Sequence, residues 1–311
     1  MCGIIGYIGF QDPKGILLDG LKRLEYRGYD SAGIAILEGN KTLLFRSEGR
    51  IQKLESKLTQ EHFQGHLGIG HTRWATHGAP TENNAHPHQA GPITLVHNGI
   101  LENYLDHKLN LQKNKVSFSS DTDTEVIAHL FHQEIQSGIS LKDATFKILP
   151  TLKGSYAFVV IHENEPDVVI GTAQGAPLII GVGEKETFLA SDVQAILHRT
   201  NKVIYLEEGQ VAVCKNNQVE LFSREGKKLV PQIKTLQWSA EQMEKAGYRH
   251  YMLKEIHEQS QAIANTISGH MESVSGTIQI PEILKIKDKL KTLNRISIVA
   301  CGTARHAGLV G

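Results

Sequence analysis

The 311-residue sequence predicts an α+β fold in which antiparallel sheets carry helices on their outer faces. Short β-branched segments separated by glycines follow one another in runs over about the first 235 residues, a pattern typical of antiparallel strands. Helical periodicity is confined to a few segments between these runs. The strands therefore do not alternate with helices as they would in a parallel βαβ series.

The predicted strands are rich in β-branched residues, and the segments are six to twelve residues long. In chain order they are GIIGYIGF, GIAILEG, TLLFRSEG, HLGIGHTRW, ITLVHNG, SYAFVVIHE, DVVIGTA, PLIIGVG, VIYLEEGQVAVC and QVELFS.

Three segments among these strands have helical spacing. The first, PKGILLDGLKRLEY, begins at Pro13 and repeats leucine and isoleucine at intervals of three and four. The second, DTEVIAHLFHQEIQSG, begins at an Asp/Thr cap and ends at Gly138. The third, SLKDATFKILPTL, begins at a Ser140 cap and stops at Pro150.

The pattern changes after about residue 236. Residues 240–270 have helical character, with an apolar face at Met252, Ile256, Ile263 and Ile267, and PEILKIKDKLKTL predicts a second helix. RISIVACGTARHAG then predicts a strand that leads into a glycine turn, a layout that can present backbone N–H groups to phosphate. We expect domains at 2–235, a helical linker at 236–294 and the incomplete start of another domain at 295–311.

Composition excludes several classes of function. Lys+Arg and Asp+Glu are equal at 33 each, so no polyanion-binding surface is expected and we predict no nucleic-acid partner. No apolar stretch approaches the roughly 20 residues of a membrane span, and the N-terminus lacks the basic region of a signal peptide. The sequence has 3 cysteines, and this odd number does not indicate a disulfide framework. These features predict a cytoplasmic protein.

Cys2 is the first candidate catalytic residue. Removal of Met1 would place a thiol and a free α-amine on the same residue. That amine has an ordinary pKa of about 7.7–8.0, so part of it is neutral near pH 7 and can accept a proton from the thiol. The alternative is that the position of this cysteine has no functional meaning.

Four polar segments adjoin predicted strands, where loops commonly carry function: HTRWATHG, NAHPH, VHNGILEN and SSDTDTEV. In the third, Asn98 and Gly99 could form an oxyanion hole or simply a tight turn. Arg73 and Asp123 could hold the carboxylate and the ammonium of an amino-acid substrate. They could equally form an ordinary salt bridge, or Asp123 could cap a helix.

Five histidines fall close together, at positions 71, 77, 86, 88 and 97. Their spacing suits a zinc site poorly, because Pro87 stiffens the HPH segment and neither HExxH nor CxxC occurs. A histidine base for Cys2 is a second alternative. We predict that most of these rings are structural or line a pocket and that no metal is bound.

These segments together resemble one family. MCGIIGY, LEYRGYDSAGIA, HTRWATHG, NAHPH, VHNGILEN, SDTDTEVIAHL, KGSYAF, YRHYMLKEIHEQ and ACGT, in this order, are similar to the glutamine–fructose-6-phosphate aminotransferases. The resemblance implies a four-layer αββα N-terminal-nucleophile sandwich, followed by a helical linker and the truncated start of an α/β sugar-isomerase domain.

The resemblance also implies roles for individual residues. Cys2 would be the nucleophile with its α-amine as base, Asn98 and Gly99 the oxyanion hole, and Arg73 and Asp123 the clamps for glutamine. The pocket would also involve Trp74, Thr76, His77 and His86. Thr303 would face a sugar phosphate, although Ala304 and Arg305 depart from the Ser-Tyr that the family has after ACGT.

The implied reaction releases ammonia from L-glutamine and passes it to fructose 6-phosphate, giving glucosamine 6-phosphate, without a metal or organic cofactor. The complete enzyme would be a homodimer. Family members are about twice as long, so this chain would carry mainly the glutaminase half. The alternatives are an amidotransferase with another acceptor, and an inactive fragment that pairs with a full-length partner. A zinc hydrolase is the alternative that the sequence favours least.

Overall fold

The computed structural model describes residues 2–75, 78–215, 218–237, 247–267, 280, 283, 285–300 and 302–310. The chain forms two compact units, Met1–Glu244 and Lys245–Gly311. The finer boundaries at 235/236 and 294/295 stay predictions.

The first unit contains strands and helices in the mixture that the sequence predicts. Its helices are α1 Pro13–Leu24, α2 Ile51–Lys57, α3 Tyr104–Lys113, α4 Asp123–Ile135 and α5 Leu141–Ile148, with 3₁₀ turns at Leu149–Thr151 and Val193–Ala195. Its strands are β1 Gly3–Ile8, β2 Ser31–Glu38, β3 Lys41–Glu48, β4 Leu67–Arg73, β5 His88–Ala90, β6 Ile93–Leu101, β7 Gly154–His162, β8 Val169–Gln174, β9 Ile179–Val182, β10 Thr187–Ala190, β11 Lys202–Tyr205, β12 Val211–Lys215, β13 Gln218–Phe222, β14 Lys228–Leu229 and β15 Lys234–Thr235.

These strands form two sheets. The first sheet has the order β15-β11-β9-β10-β1-β4-β2-β3, and the second has the order β14-β13-β12-β8-β7-β6-β5. Every ladder between these named strands is antiparallel, which confirms the prediction from the sequence.

The side chains of each sheet alternate between two apolar layers, because successive residues of a strand point to opposite faces. On β1, Ile4 and Ile8 belong to the cluster between the sheets, whereas Ile5 and Tyr7 pack with leucines of α1. The second sheet divides in the same way between the inter-sheet cluster and α3, α4 and α5. The layers are therefore helix, sheet, sheet and helix, and the predicted α+β sandwich is confirmed.

The three predicted helices of this unit begin within one residue of their predicted starts. Asp12 accepts a hydrogen bond from the Lys14 N–H at 2.8 Å ahead of α1, and Ser140 accepts one from the Asp143 N–H at 3.1 Å ahead of α5. The sequence pattern misses α2 and α3. Each is short, and α3 buries only Leu111, so neither has a clear apolar stripe.

Glu125 fixes the start of α4. Its carboxylate accepts hydrogen bonds from the backbone N–H groups and the hydroxyls of Ser119 and Ser120, at 2.6–2.8 Å. Burial by itself raises the pKa of this carboxyl, but hydrogen bonds from His129 and the two serines outweigh it and lower the pKa well below its ordinary value. The loop before α4 is thereby tied to the helix that carries Asp123.

The second unit contains α6 Tyr251–Ile267, α7 Lys287–Leu290 and α8 Gly302–Val310. Helix α6 lies inside the predicted 240–270 segment, whose two ends fall outside the described residues, and the four predicted apolar positions are exposed. The helix predicted over 281–293 includes α7, and residues 281, 282 and 284 lie outside the described residues. The predicted strand is wrong for residues 295–300, which carry no regular secondary structure. A strand needs a hydrogen-bonded partner strand, and this unit supplies none among its described residues.

Among the helices that the structure describes, none has the length and apolar content needed to cross a bilayer.

Candidate active site

Strand alternation brings four polar side chains to one end of the inter-sheet layer. Cys2 lies two residues before Ile4 of β1 and so points to the same face of the sheet. His71 and Arg73 point to the same face as Ile69 on β4. On the facing sheet, Asn98 has the parity of Val96 on β6. All four therefore continue the inner faces of the two sheets beyond the apolar core.

The Cys2 sulfur is held against the backbone of Trp74. The Trp74 N–H donates to Sγ at 3.2 Å, and Sγ lies 3.6 Å from the Trp74 carbonyl oxygen. Burial raises the pKa of the Cys2 thiol, and the Trp74 N–H and Arg73 offset this only in part. The sulfur is therefore a thiol at neutral pH and needs a base to become a nucleophile.

Asn98 and Gly99 lie inside strand β6, so the turn interpretation of this Asn-Gly pair is wrong. Asn98 is opposite Ala157 and Gly99 is opposite Tyr156 in the ladder with β7. The Asn98 amide Nδ2 donates to the backbone carbonyl of Cys2 at 3.1 Å. Gly99 has a φ of 127°, and a Cβ there would lie 2.0 Å from the Ser155 carbonyl oxygen. Only glycine fits this position.

Arg73 and Asp123 face the same space from different elements. The Arg73 guanidinium donates to the carbonyls of Gly78 and Ala79 at 3.1 and 3.2 Å. The Asp123 carboxylate accepts from the Leu101 N–H at 2.8 Å. No salt bridge joins Arg73 to Asp123 in the described part of the chain.

Asp123 is also not the helix cap. Thr122 is the cap of α4, since its hydroxyl accepts from the Glu125 N–H at 3.4 Å and Asp123 is the first helical residue. The negative charge of Asp123 at this N-terminus is favoured by the helix dipole. The Arg73 cation and the Asp123 anion are thus held apart by separate backbone contacts. Recognition of the two charges of an amino acid requires such a separation.

Most of these groups line a narrow cleft with about 20 Å³ of free space, roughly the room that one water needs. Its walls are formed by Cys2, Arg73, Trp74, His86, His97, Gly99, Thr122, Asp123 and Thr124. Trp74 is 46% exposed at the rim, where its ring packs edge-on against Tyr29 at 5.6 Å. Of the predicted site residues, Thr76 and His77 lie outside the described residues, and Thr303 belongs to α8 of the second unit with its side chain undescribed.

A layer of buried histidines supports this cleft from behind. The His71 and His86 rings stack at 4.1 Å between centroids, and the His86 and His88 rings meet edge to face at 4.9 Å. His88 Nε2 lies 2.9 Å from the Thr122 hydroxyl, and His97 Nδ1 lies 3.0 Å from that of Thr124. His88 on β5 and His97 on β6 therefore connect the second sheet to the start of α4.

Three rings of this layer, His71, His86 and His88, are uncharged at neutral pH. Burial lowers the pKa of His71 and of His88 to about 3, and it places that of His86 well below its ordinary value. No described histidine contacts the Cys2 sulfur, and no group of three metal-ligating side chains occurs in the described residues. The described rings are thus structural or line the cleft.

The buried histidines should make the fold sensitive to mild acid. The folded pKa of His88 is about 3 and the unfolded value is about 6.5, so the unfolded state binds the extra proton between these pH values and stability falls as pH falls. We expect His88→Gln to reduce the slope of unfolding free energy against pH by about 1.4 kcal/mol per pH unit between pH 4.5 and 6.

Urea unfolding at several pH values measures this slope. The exposed His62 provides the matched control, and His62→Gln should leave the slope unchanged. If the unfolding free energy of His88→Gln and of the parent chain changed equally with pH, the claim that the buried His88 ring is neutral would be contradicted.

Two contacts at the site join residues whose pairing the sequence patterns do not indicate. Asp30 accepts a hydrogen bond from the Ala75 N–H at 2.7 Å and so holds the chain beside Trp74. His71 lies 3.0 Å from Asn98. Asp30 stands in the quoted RGYDSAG string and His71 in HTRWATHG, but neither motif indicates the partner.

A comparison with protein families matches residues 71–198 to a glutamine amidotransferase domain. Two curated relatives, from Aquifex aeolicus and Methanosarcina mazei, are each 45% identical over all of this chain and are named glutamine–fructose-6-phosphate aminotransferase [isomerizing]. Residues 71–198 therefore belong to a glutamine amidotransferase domain. The resemblance drawn from its motifs is confirmed, and the chain spans about half the length of these relatives, 51% and 52%.

Solved structures of other glutamine amidotransferases share the fold. The phosphoribosylpyrophosphate amidotransferase of B. subtilis is 28% identical with a TM-score of 0.62, and the match covers 72% of this chain and 49% of that one. A structure described as the allosteric regulatory enzyme of purine biosynthesis has a TM-score of 0.63 over the same shares. The N-terminal-nucleophile sandwich is therefore the fold of this amidotransferase.

Proposed function

We propose that this chain is the glutaminase half of a glutamine–fructose-6-phosphate aminotransferase, and that it hydrolyses L-glutamine at Cys2. The carrying observation is that Cys2 and Gly99 line a cleft that also presents Arg73 and Asp123, and that the Asn98 amide donates to the backbone carbonyl of Cys2. A nucleophile, donors for an oxyanion and two opposite charges are the parts that amide hydrolysis of an amino acid needs.

In the proposed reaction, Met1 has been removed and the neutral α-amine of Cys2 takes the thiol proton. The thiolate attacks the side-chain carbonyl carbon of glutamine, and the developing oxyanion accepts hydrogen bonds from Asn98 and the Gly99 N–H. The C–N bond then breaks, the ammonium of Cys2 protonates the departing nitrogen, and ammonia and a γ-glutamyl thioester result. Water, deprotonated by the same amine, hydrolyses the thioester to glutamate.

The remaining predicted residues bind the substrate in this proposal. Arg73 pairs with the α-carboxylate and Asp123 with the α-ammonium, while Trp74 and His86 close the sides of the cleft. Thr76 and His77 keep their predicted place in the pocket loop, and Thr303 its predicted contact with a sugar phosphate.

The acceptor in the complete protein is proposed to be fructose 6-phosphate, with glucosamine 6-phosphate as product. The names and 45% identity of the curated relatives support this acceptor over that of the phosphoribosylpyrophosphate enzyme, which is 28% identical. We further propose a cytoplasmic homodimer without nucleic-acid or membrane partners. The equal numbers of acidic and basic residues support the absence of a nucleic-acid partner.

The test is release of glutamate and ammonia from L-glutamine by chain whose mass shows that it begins at Cys2. Glutamine lacking its α-carboxylate charge, as the α-amide, should be a far poorer substrate. Failure of such a chain to release glutamate would contradict the proposed activity.

Arg73→Gln should raise KM for L-glutamine by about 10–100-fold with a much smaller change in kcat, because the lost fork binds ground state and transition state alike. Steady-state kinetics measure both constants. Arg46→Gln is the matched control, since Arg46 also donates to backbone carbonyls, those of Asn83 and Ala85, but does not line the cleft. An unchanged KM in Arg73→Gln would remove the carboxylate clamp from the proposal.

A further inference from the structure

His71 spans the space between the two sheets beside the catalytic cysteine. Its ring starts from β4 of the first sheet, and its Nε2 lies 3.1 Å from the His97 carbonyl oxygen on β6 of the second. The same nitrogen lies 3.0 Å from Oδ1 of Asn98. The His71 side chain is fully buried. One nitrogen therefore contacts two successive residues of the strand that carries the proposed oxyanion donors.

The His97 carbonyl determines where the His71 proton is. A carbonyl oxygen only accepts hydrogen bonds, so Nε2 must carry a hydrogen. Burial, together with the nearby Arg73 charge, lowers the pKa of His71 to about 3 and keeps the ring neutral. Its single proton is then on Nε2, and the buried Nδ1 is left without a hydrogen-bond partner among the described residues.

The orientation of the Asn98 amide follows from this proton. Because Nε2–H is a donor, the Asn98 atom that faces it must be the acceptor Oδ1, which turns the NH₂ group toward Cys2. One N–H donates to the Cys2 carbonyl at 3.1 Å. Rotating the amide by half a turn would place two donors together at His71 and two oxygens together at Cys2.

We propose that His71 is a positioning residue for the oxyanion hole: it locks the Asn98 amide with its N–H groups toward Cys2. The second N–H is thereby kept for the oxygen that becomes negative when the thiolate attacks. This inference rests on the proposed glutaminase function. His71 contacts Asn98 and does not contact the Cys2 sulfur, so it acts on the reaction through Asn98.

Three substitutions at His71 test the geometry. His71→Phe removes the donor and should lower kcat about 10–100-fold, somewhat less than loss of an oxyanion donor itself, with KM changed less than about twofold. His71→Gln should restore most of the lost rate, because its amide nitrogen can occupy the place of Nε2. His71→Asn should not, since its nitrogen corresponds to Nδ1.

A double-mutant cycle separates positioning from a general effect on the fold. In the Asn98→Ala background, His71→Phe should cost no further activity, because the amide that it orients is gone. If the decrease in kcat of the double variant equalled the product of the decreases in the two single variants, the proposal would be overturned. Thr94→Val, which alters a buried hydroxyl on the same strand, is the control for strand packing and should keep parental kcat.

The tautomer gives a readout that does not depend on activity. Nitrogen NMR of histidine-labelled chain should show His71 neutral and protonated at Nε2 near pH 7, and the Asn98 side-chain amide signals should move in His71→Phe. A proton on Nδ1, or unmoved Asn98 signals, would overturn the positioning role even in an active enzyme. The expected NMR result without glutamate release would overturn the proposed function alone.

Discussion

A chain that carries a removable leader ahead of Cys2 is expected to be inactive, and to become an active glutaminase when a protease cuts immediately before Cys2. Burial raises the pKa of the Cys2 thiol, so the sulfur depends on a base. The proposed base is the α-amine of Cys2, and no histidine among the described residues contacts the sulfur. Loss of a general base costs about 10²–10⁴-fold in rate.

Glutamate release before and after cleavage measures the effect on one polypeptide. The matched control is a leader whose cleavage leaves a single glycine before Cys2, which frees an amine but displaces it by one residue. Cleaved chain carrying Cys2→Ala defines the background rate. The active form should gain rate as pH rises through about 7.7–8.0, where the amine loses its proton. Equal rates in the glycine-extended and the correctly cut chain would show that the amine is not the base.

Much of the scaffold could be predicted because its elements carry local signals. Strands β1 and β6 are β-branched apolar runs, and α1, α4 and α5 begin at capping residues. Glycine and proline mark most of the boundaries between elements. These signals were sufficient to predict antiparallel sheets with helices outside and to place Cys2 at the start of a strand.

Local signals were misleading where tertiary structure decided the conformation. An Asn-Gly pair ordinarily favours a turn, but Asn98 and Gly99 lie within a ladder of nine residue pairs between β6 and β7. The opposite error occurs at residues 296–300, which include the β-branched Ile296, Ile298 and Val299 and yet form no strand. In both cases the partner strand, present or absent, outweighs the preference of the segment itself.

The internal geometry of the site depends on contacts between distant parts of the chain. His71 meets Asn98 across two sheets, the Leu101 N–H meets Asp123 from strand to helix, and Asp30 holds Ala75. Each contact joins residues 22–45 positions apart. Periodicity and motif spacing do not report such pairs, so the candidate residues could be named from the sequence but their partners could not.

Gly99→Ala is expected to abolish measurable glutaminase activity. A Cβ at this position would lie 2.0 Å from the Ser155 carbonyl oxygen, far inside contact distance, and the φ of 127° is one that alanine rarely adopts. Strand β6 must shift away from β7 to relieve the overlap. That shift moves the Gly99 N–H and the Asn98 amide, the two proposed donors to the oxyanion, for which losing even one costs about 10²–10³-fold in kcat.

Gly138→Ala separates the effect of the positive φ from the effect of the steric overlap with a neighbouring strand. Gly138 also has a positive φ, 81°, but a Cβ there meets nothing within 4 Å. It should lose about 1–2 kcal/mol of stability while keeping full activity. If Gly99→Ala does not fold, as thermal unfolding and circular dichroism would show, Asn98→Ala leaves the backbone intact and should still lower kcat about 10²–10³-fold. A folded Gly99→Ala or Asn98→Ala chain with parental kcat would mean that the oxyanion is stabilised elsewhere in the cleft.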